Sequence, residues 1–232
     1  MGNDNQGKAP SKHALTPHEW RSSFKRVYER DQCLPGSVYA ALVSADKLLG
    51  TEGSSVNSIQ DLNRSLGYAR GYATPCNATR FPAFQNRLAS AGLEWSESRD
   101  PTAAYNQLLK LVDSDECSFP IVGVGLGLCG EYDKRTKFSG DPSDNDHALL
   151  ILAIKDNKVH FFDPTYLPNS PTDEKEVVGL ATFMKFWSED AIEQYYRGWA
   201  LKLTKARKPT ATIKRSKGVR SLNRWLPKVS KK

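Results

Sequence analysis

Apolar positions in this chain change period several times, and each change marks an element. Residues 147–154 read His-Ala-Leu-Leu-Ile-Leu-Ala-Ile, a nearly continuous apolar run. A polar turn follows, then Lys158-Val159-His160-Phe161-Phe162-Asp163-Pro164. Short apolar runs of this kind, split by turn residues, predict two antiparallel strands of a hairpin. Upstream the period is helical. Thr16-Pro17-His18-Glu19 carries an N-cap, a proline suited to the first helical turn and a capping-box glutamate. Trp20, Phe24, Val27 and Tyr28 then repeat at helical spacing, with His18 in the exposed first turn. After Pro35, residues 38–43 are apolar nearly all round, which predicts a buried helix. Val56, Ile59, Leu62 and Leu66 form one helical face stopped by Gly67, and Phe81-Pro82 starts another that ends near Gly92. Asp100-Pro101 caps a further helix with Tyr105, Leu108, Leu109 and Val112 inward. Residues 119–128 are apolar and glycine-rich and predict a buried strand, followed by a long polar loop over 131–146. A helix over 182–195 and a strand over 198–203 complete the pattern. Helices first and an antiparallel sheet afterwards predict an α+β domain with a cleft between its two parts.

The hairpin places chemistry at one end of that sheet. His147 opens the first strand and Asp163 closes the second. A two-residue loop, Asp156-Asn157, would pair Leu150 with Asp163 and turn Asp163 away from the face of His147. A three-residue loop, Lys155-Asp156-Asn157 with Asn157 left-handed, pairs Leu149 with Asp163 instead. His147 is then a diagonal neighbour on the same face, about 7–8 Å away at Cα and within side-chain reach. His160 falls on the other face.

Composition narrows the classes. The chain of 232 residues suffices for one sizeable domain or two small ones. No apolar run has the length of a membrane span, and no signal peptide pattern opens the chain. Met1-Gly2 lacks the Ser or Thr that usually accompanies myristoylation, since Gln6 stands there. Charge is uneven: residues 202–232 hold twelve Lys and Arg and no acid, which leaves −5 of the chain's net +7 on residues 1–201. The organisation expected is a disordered segment 1–15, a domain over 16–204 and a basic tail over 205–232. Such a tail is either a solvated basic terminus or a surface for an acidic partner; as a partner surface, Trp225-Leu226 between basic residues suits an anionic membrane, with nucleic acid as the alternative. The four cysteines, Cys33, Cys76, Cys117 and Cys129, show no C-x-x-C or zinc-ligand spacing and are expected as free thiols. No metal or cofactor is expected, and the chain is expected to be a monomer. Gly123-Val124-Gly125 is a G-x-G without the rest of a dinucleotide fingerprint.

Cys33 lies at the N-terminus of the predicted buried helix, where the helix dipole stabilises a thiolate. A thiol, an imidazole to activate it and a carboxylate to orient the imidazole make a nucleophilic triad. In chain order the candidates are Cys33, His147 and Asp163. A thiol acyltransferase or deamidase could use the same three groups, and a non-catalytic module acting through the basic tail would use none of them.

Cys33 before a buried helix, His147-Ala148 opening an apolar strand, and Phe161-Phe162-Asp163-Pro164 after a short hairpin together resemble the papain-like cysteine peptidases. More narrowly they resemble the YopT/AvrPphB family of bacterial type III effector proteases, over roughly residues 17–204. The resemblance implies a papain-like fold and a peptidase with Cys33 as nucleophile, His147 as base and Asp163 as orienting residue. It also implies secretion into a host cell, with cytoplasmic residence otherwise, and a selected host protein as substrate. Two places depart from the family pattern. The usual Gln or Asn upstream of the cysteine is replaced by Val27 and Tyr28; Gln32, adjacent to the cysteine, is the expected oxyanion donor, with Tyr28 or a donor from elsewhere in the chain as alternatives. Thr165-Tyr166-Leu167 follows Asp163-Pro164 where the family has an Asn-Tyr/Phe-Gly run.

Overall fold

The computed structural model describes residues 11–27, 33–49, 93–96, 98, 100–115, 118–133, 147–166, 175–189 and 200–203. The expected helices over 56–66 and 81–92, Gln32, Cys76, Cys117 and the basic tail lie outside the described residues.

Helix α1 (Pro17–Ser23) begins as its sequence dictates. The Thr16 hydroxyl accepts from the Glu19 amide while the Glu19 carboxylate accepts from the Thr16 amide. It stops at Phe24, so the apolar spacing beyond that point is not helical; Phe24 and Val27 are nonetheless buried. Residues 11–15, expected to be disordered, pack against the domain instead. A 3-10 turn over Lys12–Ala14 buries Lys12, whose ammonium donates to Leu111 O at 2.9 Å, and Lys12 O accepts from the Trp20 indole at 3.0 Å. Helix α2 (Cys33–Leu49) begins at Cys33. Asp100 caps helix α3 (Pro101–Asp113), which turns Ala104, Leu108, Leu111 and Val112 inward rather than Tyr105 and Leu109.

Among the described residues, six strands numbered in chain order, whose ranges follow, form one antiparallel sheet; in their spatial order the first is followed by the sixth, second, third, fourth and fifth. They are β1 (Leu93–Ser96), β2 (Ile121–Val124), β3 (His147–Lys155), β4 (Lys158–Phe162), β5 (Val177–Gly179) and β6 (Ala200–Leu203). Strands β1 and β5 are too short to leave a periodic signature. The apolar segment 119–128 is not all strand. Beyond Val124 the chain turns, and helix α4 (Gly127–Tyr132) takes up the rest and the start of the expected loop. Helix α5 (Leu180–Met184) runs into a π-helical turn over Lys185–Glu189.

Both faces of the sheet are covered, which accounts for the nearly continuous apolar run of β3. One core layer gathers Trp20, Phe24, Cys33, Leu34, Val38 and Ala41 over Ile121, Ala148, Leu150 and Phe162. The other gathers Leu108, Val112, Leu128, Cys129, Tyr132, Phe183 and Trp187 over Val122, Val124, Leu149, Ile151 and Phe161.

The first turns of α2 lie against the strand ends. Ser37 Oγ donates to Ala148 O at 3.1 Å, and Val27 N donates to Pro164 O at 2.7 Å. A Cβ added at Gly36 would meet Pro164 Cβ at 2.6 Å and Val27 Cγ2 at 3.1 Å. The proline ring cannot rotate aside, so α2 would have to lift. Gly36→Ala is therefore expected to cost about 1–3 kcal/mol by overpacking. Urea unfolding reads this directly, and an unchanged midpoint would contradict the close approach.

Candidate active site

The β3–β4 hairpin delivers Asp163 to the face of His147, though by a route other than the one expected. Lys155 pairs with Lys158, so the loop is the two-residue Asp156-Asn157, with both residues left-handed at φ 51° and 55°. That is the geometry of a type I′ turn, which Asp and Asn tolerate better than other non-glycine residues. By itself this loop would have turned Asp163 to the wrong face. A β-bulge between Ile151 and Ala153 absorbs one residue, so that Ile151 pairs with Phe161 and Leu150 with Phe162. Continued by one position, this register sets Leu149 opposite Asp163. The bulge restores the parity that a three-residue loop would have supplied.

His147 and Asp163 meet at this sheet end, both buried. His147 Nε2 lies 3.0 Å from Asp163 Oδ2, although no hydrogen bond of acceptable direction reaches Nε2. The pair is an ion contact at short range rather than an aligned bond. Asp163 Oδ1 accepts from Thr165 N and Thr165 Oγ1, both at 2.8 Å, and Oδ2 accepts from the Tyr132 hydroxyl at 2.6 Å. Burial alone would raise the Asp163 pKa, but the His147 charge and these donors bring it down to about 2. Burial alone would likewise lower the pKa of His147. The Asp163 charge, followed by Cys129, overrides it and holds His147 well above its ordinary value. The Tyr132 hydroxyl is pushed well above its usual range by burial first and by Asp163 second, so it stays a donor.

These two shifts set a pH window. Asp163 contributes stability above its unfolded value of about 4 and loses it as pH falls through about 2. His147 contributes below its unfolded value of about 6.5 and loses it as pH rises through its raised folded value. The stability difference between the native chain and Asp163→Asn should thus be greatest between about pH 4 and 6.5. Thermal unfolding of both proteins across pH measures it; a flat difference would show that the pair does not titrate as a unit.

One thiol that stands at this pair is that of Cys129. Cys129 Sγ, a His147 ring nitrogen and an Asp163 oxygen all lie within 4.8 Å of one another. Cys129 and Tyr132 stand three residues apart on α4 and so share its inner face; the Tyr132 hydroxyl also reaches Cys129 Sγ at 3.4 Å. Reading 119–128 as strand hid this pair, and the absence of zinc-like spacing concealed a Cys-His-Asp group assembled from three separate segments. Cys33 begins α2 in the core layer on the opposite sheet face from Leu149 and Ile151, whose face His147 shares. Cys33 and Cys129 are both unbridged thiols.

Behind Asp163 stands a clamp that sequence reading did not single out. Glu176 is fully buried, and Arg26 grips it with two contacts at 3.0 and 2.7 Å. Glu176 Oε1 accepts from Asp163 N at 2.7 Å, while Arg26 Nη1 donates to Asp163 O at 2.7 Å. Arg21 donates to the carbonyls of Phe161 and Glu176. The backbone of Asp163 is thereby fixed on both sides. Burial raises the Glu176 pKa, although Arg26, Asp163 N and Arg21 oppose it. No helix among the described residues is long and apolar enough to cross a membrane. No family model matches the chain, and no curated protein matches it.

Proposed function

We propose that the chain is a cysteine peptidase of papain-like architecture. His147 serves as general base and then acid, Asp163 holds it charged and oriented, and Cys33 is the nucleophile. The observation that carries this reading is the buried His147–Asp163 contact at the paired ends of β3 and β4. A second observation supports the choice of thiol. Ser37 and Gly36, one turn beyond Cys33, touch Ala148 and face Pro164, so a 17-residue helix begins beside the strand ends that carry the pair. In this mechanism the Cys33 thiolate attacks the scissile carbonyl, and His147 gives its proton to the departing amine. A water, deprotonated by His147, then releases the acyl group from sulfur.

Cys129 is the rival nucleophile, favoured by its sulfur lying within 4.8 Å of both partners. That same closeness argues against it. In a working triad the thiol and the carboxylate sit on opposite ring nitrogens, two hydrogen bonds and a ring width apart, which is about 7 Å. Cys129 sits beside the carboxylate rather than across the imidazole from it. An acyltransferase or deamidase would use the same groups on another acceptor, and its mark is a mass shift on the partner rather than a cut chain.

A selected host protein as substrate, secretion into the host cell, the monomeric state, Gln32 as oxyanion donor and an anionic membrane surface for the basic tail belong to the same proposal. The test is labelling of the folded protein with a peptide-based thiol electrophile, mapped by peptide mass analysis. An adduct on Cys33 is expected. An adduct on Cys129 would transfer the nucleophile to α4, and labelling of neither would end the enzyme reading.

A further inference from the structure

We propose that Cys129 Sγ, His147 Nε2 and Asp163 Oδ2 form a binding site for one divalent cation of the zinc class. The geometry is close to what such an ion needs. Tetrahedral zinc, with bonds of about 2.0–2.3 Å, separates its ligand atoms by roughly 3.3–3.8 Å. Here His147 Nε2 and Asp163 Oδ2 are already 3.0 Å apart, and the three groups lie within 4.8 Å of one another.

Three further features point to a ligand. His147 Nε2 is buried and, apart from its 3.0 Å ion contact with Asp163 Oδ2, makes no aligned hydrogen bond, a deficit that a bonded cation removes. The charges balance: a thiolate, a carboxylate and a neutral imidazole together cancel a dication, which matters where all three groups are buried. Binding releases the thiol proton and the Nε2 proton to solvent. The supporting contacts also suit ligation. Thr165 occupies Asp163 Oδ1 with two bonds and leaves Oδ2 for the ion, while the Tyr132 hydroxyl touches both Cys129 Sγ and Asp163 Oδ2. Such outer contacts orient ligands and tune their basicity. A thiolate with an imidazole selects zinc-like ions over magnesium or calcium. Three protein ligands leave a fourth position for water.

The consequence for catalysis rests on the peptidase reading. An ion bound to Nε2 takes that nitrogen from proton transfer and pulls Asp163 away from its orienting role, so occupancy switches the site off.

The test is a Co²⁺ titration of the full chain, kept reduced with a phosphine. Thiolate-to-cobalt charge transfer in the near ultraviolet and tetrahedral bands in the visible are expected. Zn²⁺ should displace them, and excess Mg²⁺ should not. Cys129→Ala should lose the charge-transfer band. His147→Ala should weaken binding at least tenfold and serves if the first variant does not fold. Cys33→Ala should keep the band. No band in the native chain, or an unchanged band in Cys129→Ala, or unweakened binding in His147→Ala, overturns the site. The titration reads no enzyme activity. Cobalt binding by an inert protein would overturn the peptidase reading alone, and an active peptidase without the band would overturn the cation site alone.

Discussion

If the chain is the cysteine peptidase proposed above, Cys33→Ala is expected to lower peptide turnover by about 10⁵-fold or more, because removing a triad nucleophile leaves only binding and oxyanion stabilisation. Cys33→Ser should be nearly as inactive, since a serine hydroxyl is far less ionised than a thiol at neutral pH. Asp163→Ala should cost less, about 10⁴-fold, because the orienting residue is the least demanding member of such a set. The ranking separates a catalytic thiol from a structural one. Cys33 is a small buried residue, and trimming it to alanine should cost on the order of 1 kcal/mol in stability. Turnover and urea midpoint measured on the same preparations therefore diverge if Cys33 is the nucleophile. Equal turnover in Cys33→Ala and the native chain would remove Cys33 from the mechanism.

Glu176→Gln is expected to destabilise the domain by about 3–5 kcal/mol, the usual cost of removing one partner of a buried ion pair. The side chain of Glu176 is fully buried, and those of Arg21 and Arg26 are 6% and 15% exposed. Glutamine preserves the shape and can still accept from the Asp163 amide, so the loss reports charge rather than volume. Two guanidinium groups would be left in the interior without their carboxylate. The damage should also reach the site, because Glu176 and Arg26 hold the amide and carbonyl of Asp163. Guanidinium unfolding measures the first effect. A loss below about 1 kcal/mol would mean that solvent reaches the clamp and screens it.

Much of the local structure was legible along the chain. The capping box at Thr16, the Asp100 cap with its following proline and the β3–β4 hairpin all rest on contacts between near neighbours in sequence. Such contacts depend on a few consecutive residues. The sequence also paired His147 with Asp163, because strand parity needs only a count of residues. The count chose the wrong loop and still reached the right face, since a bulge and an extra loop residue have the same effect on parity. A bulge is a response to packing on both faces of a sheet, and nothing in Ile151-Leu152-Ala153 announces one.

What only the tertiary structure decided is what surrounds that pair. The two cysteines look alike as letters, and Cys33 drew attention because a long helix begins there. Only the folded sheet shows that Cys129 lies on the face of His147 and Cys33 in the opposite layer. Only folding brings Glu176 to Asp163 from thirteen residues away and Arg26 from 137. Local order is written in adjacent residues, whereas a buried charge finds its partner by the path of the backbone through space, which no short window of sequence contains.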